Sequence, residues 1–218
     1  MSNTKWNFLY EEDIKRNNGY QKYYLNKIKY RMNFVKKVEK YSKNKIVLEA
    51  GCGTGVLSIY FKKNGFESYA IDNDNNQLNL VKKIAKSLNV STPILKKINI
   101  FELSNYFSNY QIDVVYSIGV FEHFSDTEIE KLLKEQLKIS NYVFVGIPTK
   151  YFNESEKLYG NERFLEIKYW RNLFSSDNYR IVEEFSCYNG NFINRLKNYK
   201  KWFKISPIHV FVIESCNK

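Results

Sequence analysis

Three glycines at alternate positions, Gly51, Gly53 and Gly55, follow the run Val47-Leu-Glu-Ala50 and precede Val56-Leu-Ser-Ile59. A glycine-rich turn between a strand and a helix lets backbone approach a ligand closely and aims the first helical amides at it. The spacing is G-x-G-x-G. The dinucleotide fingerprint G-x-G-x-x-G is excluded because position 56 is Val, and the Lys-Ser/Thr ending of a phosphate-binding loop is absent. Carboxylates accompany the turn at Glu49 and Asp72. Further along, Glu122-His123 places an acid beside an imidazole, the side chain whose ordinary pKa lies nearest neutrality. His123 is therefore a candidate general base for an acceptor that must lose a proton, with Glu122 beside it. The same pair would equally serve to shape a turn into the next helix.

Residues so far apart in the chain need a sheet to gather them. From Lys45 onward short β-branched runs alternate with helical stretches, the pattern of a parallel sheet covered by helices on both faces. Seven strands are expected, at 45–50, 68–72, 93–98, 113–118, 142–147, 179–186 and 207–215. Helices are expected over Val56–Lys63, Gln77–Leu88 and Thr127–Ile139, where apolar residues recur at helical spacing. Ser125 followed by Glu128 predicts a capping box at the start of the last of these. Upstream, Gly19–Tyr41 reads as one long basic helix, with Gly19 ending a shorter helix before it. The stretch 191–205 sets Phe192, Ile193, Leu196, Tyr199, Trp202 and Phe203 against lysines at near-helical spacing, as in an amphipathic helix.

In this setting Glu49, Gly51, Cys52, Gly53, Thr54 and Gly55 resemble, position by position, the first motif of the class I S-adenosylmethionine-dependent methyltransferases, E/D-x-G-x-G-x-G. The resemblance continues at the ends of the next strands. Asp72, 17 residues after Gly55, stands where that family has an acid for the ribose hydroxyls of the cofactor, with Asn73 next to it. An ionised carboxylate suits that role because it accepts two hydrogen bonds from a vicinal diol. Asn99-Ile100-Phe-Glu-Leu103 resembles the family's D-I-x-x-L segment, with Asn99 in place of the acid that contacts the adenine amino group. Ser117-Ile118-Gly119-Val-Phe-Glu122-His123 looks like S-x-x-V-L-E-H, whose backbone lies beside the methionine end of the cofactor. The resemblance covers residues 20–148. It implies a Rossmann-like α/β sandwich of three layers, its seven-stranded sheet mostly parallel with an antiparallel last strand, and one domain over 1–218 made of a helical cap at 1–44 and a core at 45–218. It further implies S-adenosylmethionine as cofactor, S-adenosylhomocysteine as product, and no metal. The D/N/S-P-P-Y/F/W segment of methyltransferases acting on exocyclic amines of DNA bases or on glutamine amides is absent, which disfavours that subgroup.

Composition narrows the acceptor. The chain has 218 residues, 44% hydrophobic, enough for a sizeable core, and a formal charge of +11. The charge is uneven: net +8 over residues 1–45, −2 over 46–194 and +5 over 195–218. Of 34 cations only 6 are Arg, the residue favoured for bidentate phosphate and base recognition. A small-molecule acceptor, anionic if the basic ends flank the site, is the leading expectation. An RNA acceptor held by those ends is the alternative, a membrane surface or plain solvation of Lys-rich helices would also account for them, and a cofactor-binding scaffold without turnover is a further reading. The long loop after the fifth strand, residues 148–164, is expected to be an acceptor lid, with Tyr151, Tyr159 and Arg163 as candidate contacts. Trp6, Phe8, Tyr10 and Tyr20 are expected over the cofactor, Tyr20 also touching the acceptor. Three scattered cysteines, no apolar run of 18 residues and no secretory signal fit a cytoplasmic protein with reduced thiols.

Overall fold

A computed structural model of the chain describes residues 4–109, 111–149, 161–187 and 208–216. Seven strands form one sheet: β1 (Ile46–Ala50), β2 (Glu67–Asp72), β3 (Ile94–Lys97), β4 (Ile112–Ile118), β5 (Ser140–Pro148), β6 (Tyr179–Ser186) and β7 (Ile208–Ser215), in the spatial order 3-2-1-4-5-7-6. Strands β1 to β5 pair in parallel, whereas β7 is antiparallel to both β5 and β6. The sheet is thus mostly parallel with an antiparallel last strand, as the resemblance implies. The central strands carry apolar side chains on both faces, as burial between two helical layers requires: Val47, Leu48, Val114, Val115 and Tyr116 are all fully buried.

The helices are α1 (Thr4–Arg16), α2 (Tyr20–Tyr41), α3 (Val56–Lys63), α4 (Asn75–Ser87), α5 (Leu103–Phe107), α6 (Asp126–Ile139) and α7 (Ile167–Leu173), with 3₁₀ turns at Ile100–Glu102 and Phe121–His123. Helix α2 buries Phe34, Val35 and Val38, Phe34 meeting the rings of Tyr116 and Phe144 on the sheet. Asn18 and Gly19, both at positive φ, reverse the chain between α1 and α2. Asn26 Nδ2 donates to Asn17 Oδ1 across that corner at 2.9 Å. The expected capping box opens α6: the Glu128 carboxylate accepts from Ser125 N at 2.9 Å and Ser125 Oγ at 2.6 Å. In β7, His209 Nε2 lies 3.0 Å from Glu184 Oε2 of β6, and burial holds its pKa below the usual histidine range. No helix among the described residues is long and apolar enough to cross a membrane.

The order places β1 beside β4, so successive connections leave the sheet in opposite directions on either side of that pair. Open α/β sheets form a crevice at the carboxyl ends of the strands where this happens.

Candidate active site

The glycine turn is held from the neighbouring strand. Gly51 N and Cys52 N both donate to Ile71 O of β2 at 2.9 Å, and Gly55 caps α3 with φ of 59°. Beneath the turn Glu49 is buried; its Oε2 accepts from Ser58 N at 3.1 Å and from the Ser58 hydroxyl. Burial pushes its carboxyl up to about 7, against the opposing pull of Ser58 and the Arg31 charge. At the end of β2 Asp72 receives two backbone N–H groups, Gly53 N at Oδ2 and Asp74 N at Oδ1, each at 3.0 Å. Burial raises its pKa above the usual carboxylate range, and these N–H donors work in the other direction.

Helix α1 covers the turn. The cleft is lined by Trp6 and Tyr10 from α1, Gly51 and Gly53 from the turn, Asp72, Asn73, Asp74 and Gln77 from β2 and α4, Ile100, and Gly119, Val120, His123 and Phe124 from the β4 end. Trp6 stacks on Tyr10 with ring centroids 5.8 Å apart and meets His123 edge-on at 5.6 Å. A Cβ on Gly53 would stand 2.7 Å from the Tyr10 hydroxyl, and the residue sits at φ +51°. Gly53→Ala should therefore lower stability by about 1–2 kcal/mol through the left-handed backbone alone. Adding Tyr10→Ala should recover only the part due to contact. Denaturant midpoints of the three variants would check this, and an unchanged midpoint for Gly53→Ala would contradict it.

At the β4 end the 3₁₀ turn presents His123. Its Nδ1 lies 2.7 Å from Asn161 Oδ1. Because that oxygen can only accept, Nδ1 carries the proton in neutral imidazole and Nε2 holds the lone pair. Glu122 turns the other way and is buried; its Oε2 has no hydrogen-bond partner, and Oε1 lies 3.5 Å from where a Cβ on Gly119 would stand. Burial first, and the charge of Glu162 second, push its carboxyl up to about 8.

The structure thus brings Gly51, Gly53, Asp72, Asn73, Ile100, Gly119 and His123 to one cleft, together with Trp6 and Tyr10 of α1. Other expected residues support it from behind. Cys52 is buried under the turn, the Thr54 hydroxyl lies 3.4 Å from Tyr23 Oη, Ser117 Oγ accepts from Gln136 Nε2 at 3.3 Å, and Ile118 packs against Gly146. Four placements differ from expectation. Asn99 is exposed, and its Oδ1 accepts from Phe101 N at 3.2 Å, because Asn at this position caps the 3₁₀ turn. Tyr20, the first residue of α2, packs against the core instead of lining the cleft, and Phe8 points outward, 64% exposed. Arg163 is committed to the fold: NH1 donates to Phe124 O and NH2 to Asp126 Oδ1, each at 2.7 Å, with its guanidinium over the Tyr169 and Trp170 rings. Tyr151, Tyr159, most of the expected lid and the stretch 191–205 lie outside the described residues. Sequence reasoning missed Gln77, which reads only as one polar residue of a helix, and Asn161, 38 residues from its partner His123.

Known proteins share this fold. The family described as a methyltransferase domain covers residues 47–140. The structure of magnesium protoporphyrin IX methyltransferase from Synechocystis PCC 6803, with S-adenosylhomocysteine bound, superposes with a TM-score of 0.62 at 15% identity, over 93% of this chain and 85% of that one. The methyltransferase domain of bacterial CtHen1 gives a TM-score of 0.61 at 21% identity, over 84% of this chain and 97% of that one. Mitomycin 7-O-methyltransferase gives 0.57 at 11%, over 78% of this chain and 49% of that one. A comparison with curated proteins finds no match. At these identities the structures speak for the fold, the Rossmann-like sandwich found in S-adenosylmethionine-dependent methyltransferases, and the family match marks residues 47–140, from β1 into β5 through every motif at the cleft, as similar to a methyltransferase domain.

Proposed function

We propose that the cleft binds S-adenosylmethionine and that the enzyme transfers its methyl group to a small-molecule acceptor. The observation that carries this reading is the convergence on one cleft of the glycine turn, the Asp72 carboxylate, Ile100 and the Gly119–His123 segment, from the ends of four strands. These residues fit the cofactor: Asp72 offers an acceptor pair for a diol, Ile100 and Phe124 offer apolar wall, and the backbone at Gly51, Gly53 and Gly119 leaves room for close approach. When bound, S-adenosylmethionine supplies a sulfonium-bound methyl group open to in-line displacement. The chain's part is to hold the acceptor at near-attack distance and exclude water, for which Trp6 and Tyr10 are placed. Where the acceptor sheds a proton, His123 Nε2 takes it, the ring being fixed by Asn161 through Nδ1.

The charge pattern favours a small acceptor over an RNA backbone. Several cations of the N-terminal helices are already paired: Lys15 with Glu12, Lys27 with Asp13, and Lys37 and Lys40 with Glu183. The test is calorimetry with S-adenosylhomocysteine, followed by incubation with methyl-labelled cofactor and fractionated metabolite pools. Binding with label appearing in a small molecule is expected. Absence of cofactor binding would overturn the reading, and label in RNA with steeply salt-dependent affinity would replace the acceptor class.

A further inference from the structure

Residues 161–163, in the loop between β5 and α7, lie along the 3₁₀ turn that carries His123, and Arg163 fastens them to the chain on both sides of that histidine. Its backbone N–H donates to Glu122 O at 3.1 Å, NH1 donates to Phe124 O and NH2 to Asp126 Oδ1, each at 2.7 Å. NH2 also lies 3.2 Å from Tyr169 Oη, the hydroxyl that donates to the other oxygen of Asp126. A planar fork with donors in fixed directions can join a carbonyl and a carboxylate at once, whereas an ammonium is a point charge on a flexible stem. The imidazole itself is reached by a different side chain, through the 2.7 Å contact of His123 Nδ1 with Asn161 Oδ1, which is open to solvent. One hydrogen bond exposed to water competes weakly with solvent unless its two ends are already in place. Arg163 puts them in place.

That contact governs more than the angle of the ring. The two ends of an amide make opposite demands: the oxygen needs the ring proton on Nδ1, and the NH₂ group would send it to Nε2. With the oxygen presented, the same Nδ1–H bond serves the neutral ring and the imidazolium, so proton uptake at Nε2 leaves it intact. A base held in this way accepts its proton without rearranging its support.

We infer that Arg163 is a positioning residue for the base: by clamping the chain on either side of His123 it keeps the Asn161 oxygen on Nδ1, and so holds the imidazole in the tautomer whose lone pair is on Nε2. Arg163 acts from outside, since it does not line the cleft. The inference rests on the reading of His123 as the base.

The chain has two histidines, so long-range ¹H–¹⁵N NMR reads both rings, and His209, bonded to Glu184 on the far edge of the sheet, is an internal control. Spectra are recorded without cofactor or acceptor, at a pH where both rings are neutral, for wild type, Asn161→Ala, Asn161→Asp, Arg163→Met and Arg163→Lys. Wild-type His123 is expected to carry its proton on Nδ1, and Asn161→Asp, which retains an acceptor oxygen, should keep it there. In Asn161→Ala and in both Arg163 variants the ratio of Nδ1–H to Nε2–H should fall about fivefold, the worth of one hydrogen bond, with His209 unchanged. If Arg163→Met also moves His209, the fold has been disturbed, and Arg163→Lys, which keeps the charge but not the fork, decides. A wild-type ring protonated on Nε2 would overturn the inference, as would a wild-type ratio in Arg163→Lys with His209 unchanged. Because the spectra need no turnover, failure to find methyl transfer would strike the reading of the base and leave the tautomer result standing.

Discussion

Asp72→Asn should weaken S-adenosylhomocysteine binding by on the order of a hundredfold. Hydrogen bonds to a charged group contribute about 1.5–3 kcal/mol each, every 1.4 kcal/mol is about tenfold, and a diol makes two. Asn retains one acceptor oxygen, so the loop should survive through one of its two present bonds, from Gly53 N or Asp74 N. Melting of the unliganded variant close to wild type would show that the loss is one of binding. A pH series adds a second signature. Burial raises the Asp72 pKa, and the ligand selects the ionised form, so wild-type affinity should fall as pH drops through that raised range. The variant, having nothing to titrate there, should not show the fall. Equal affinities at neutral pH would remove Asp72 from the site.

Glu122→Gln should stabilise the protein in alkali. The Glu122 carboxyl is pushed from the ordinary 4.5 to about 8 by burial and by Glu162. Relative to a neutral side chain, the native state bears no penalty while the acid is protonated in both states, below about 4.5. The penalty grows as pH rises, because the unfolded chain has released its proton while the native one still holds it, and it is complete above about 8. At 1.36 kcal/mol per pKa unit the total is on the order of 5 kcal/mol. Gln preserves the shape, and since Oε2 has no partner now, it breaks no hydrogen bond there. Unfolding midpoints should coincide near pH 4.5 and diverge toward pH 9, with the variant the more stable. A constant difference across the range would mean that Glu122 does not titrate within it. Glu49, raised to about 7, adds a slope of the same sign over a shorter window.

The parts legible in the sequence are those whose signal is local. The boundaries of α3 and β6 coincide with the expected ones because both are bounded by turn residues. Helix α4 starts at Asn75, two residues before the expected Gln77, because Asp74 caps it by accepting from Asn76 N at 2.8 Å. Short elements such as α5 and α7 span too few residues to establish a period, and only tertiary packing, as of Leu103, Phe107 and Trp170, makes them helices. The same division runs through the site. A glycine turn and an acid ending a strand are consecutive in chain and in space. The orientation of Gln77 depends on which face of α4 meets the turn, and the role of Arg163 depends on where Asp126 and Phe124 arrive, which no spacing records. A positive charge in an aromatic loop looks alike whether it awaits a substrate or anchors a helix.

The antiparallel β7 lies between β5 and β6, paired with residues Tyr142 to Pro148 on one side and Tyr179 to Ser186 on the other. During synthesis on the ribosome, then, six strands emerge before the one that joins the sixth to the rest. Until it does, β5 offers an open edge and β6 has no neighbour in the sheet, the condition in which nascent chains recruit one another or a chaperone. The half of the protein that carries the glycine turn and Asp72 can assemble early from adjacent parallel units, while closure of the other half waits on the last strand made.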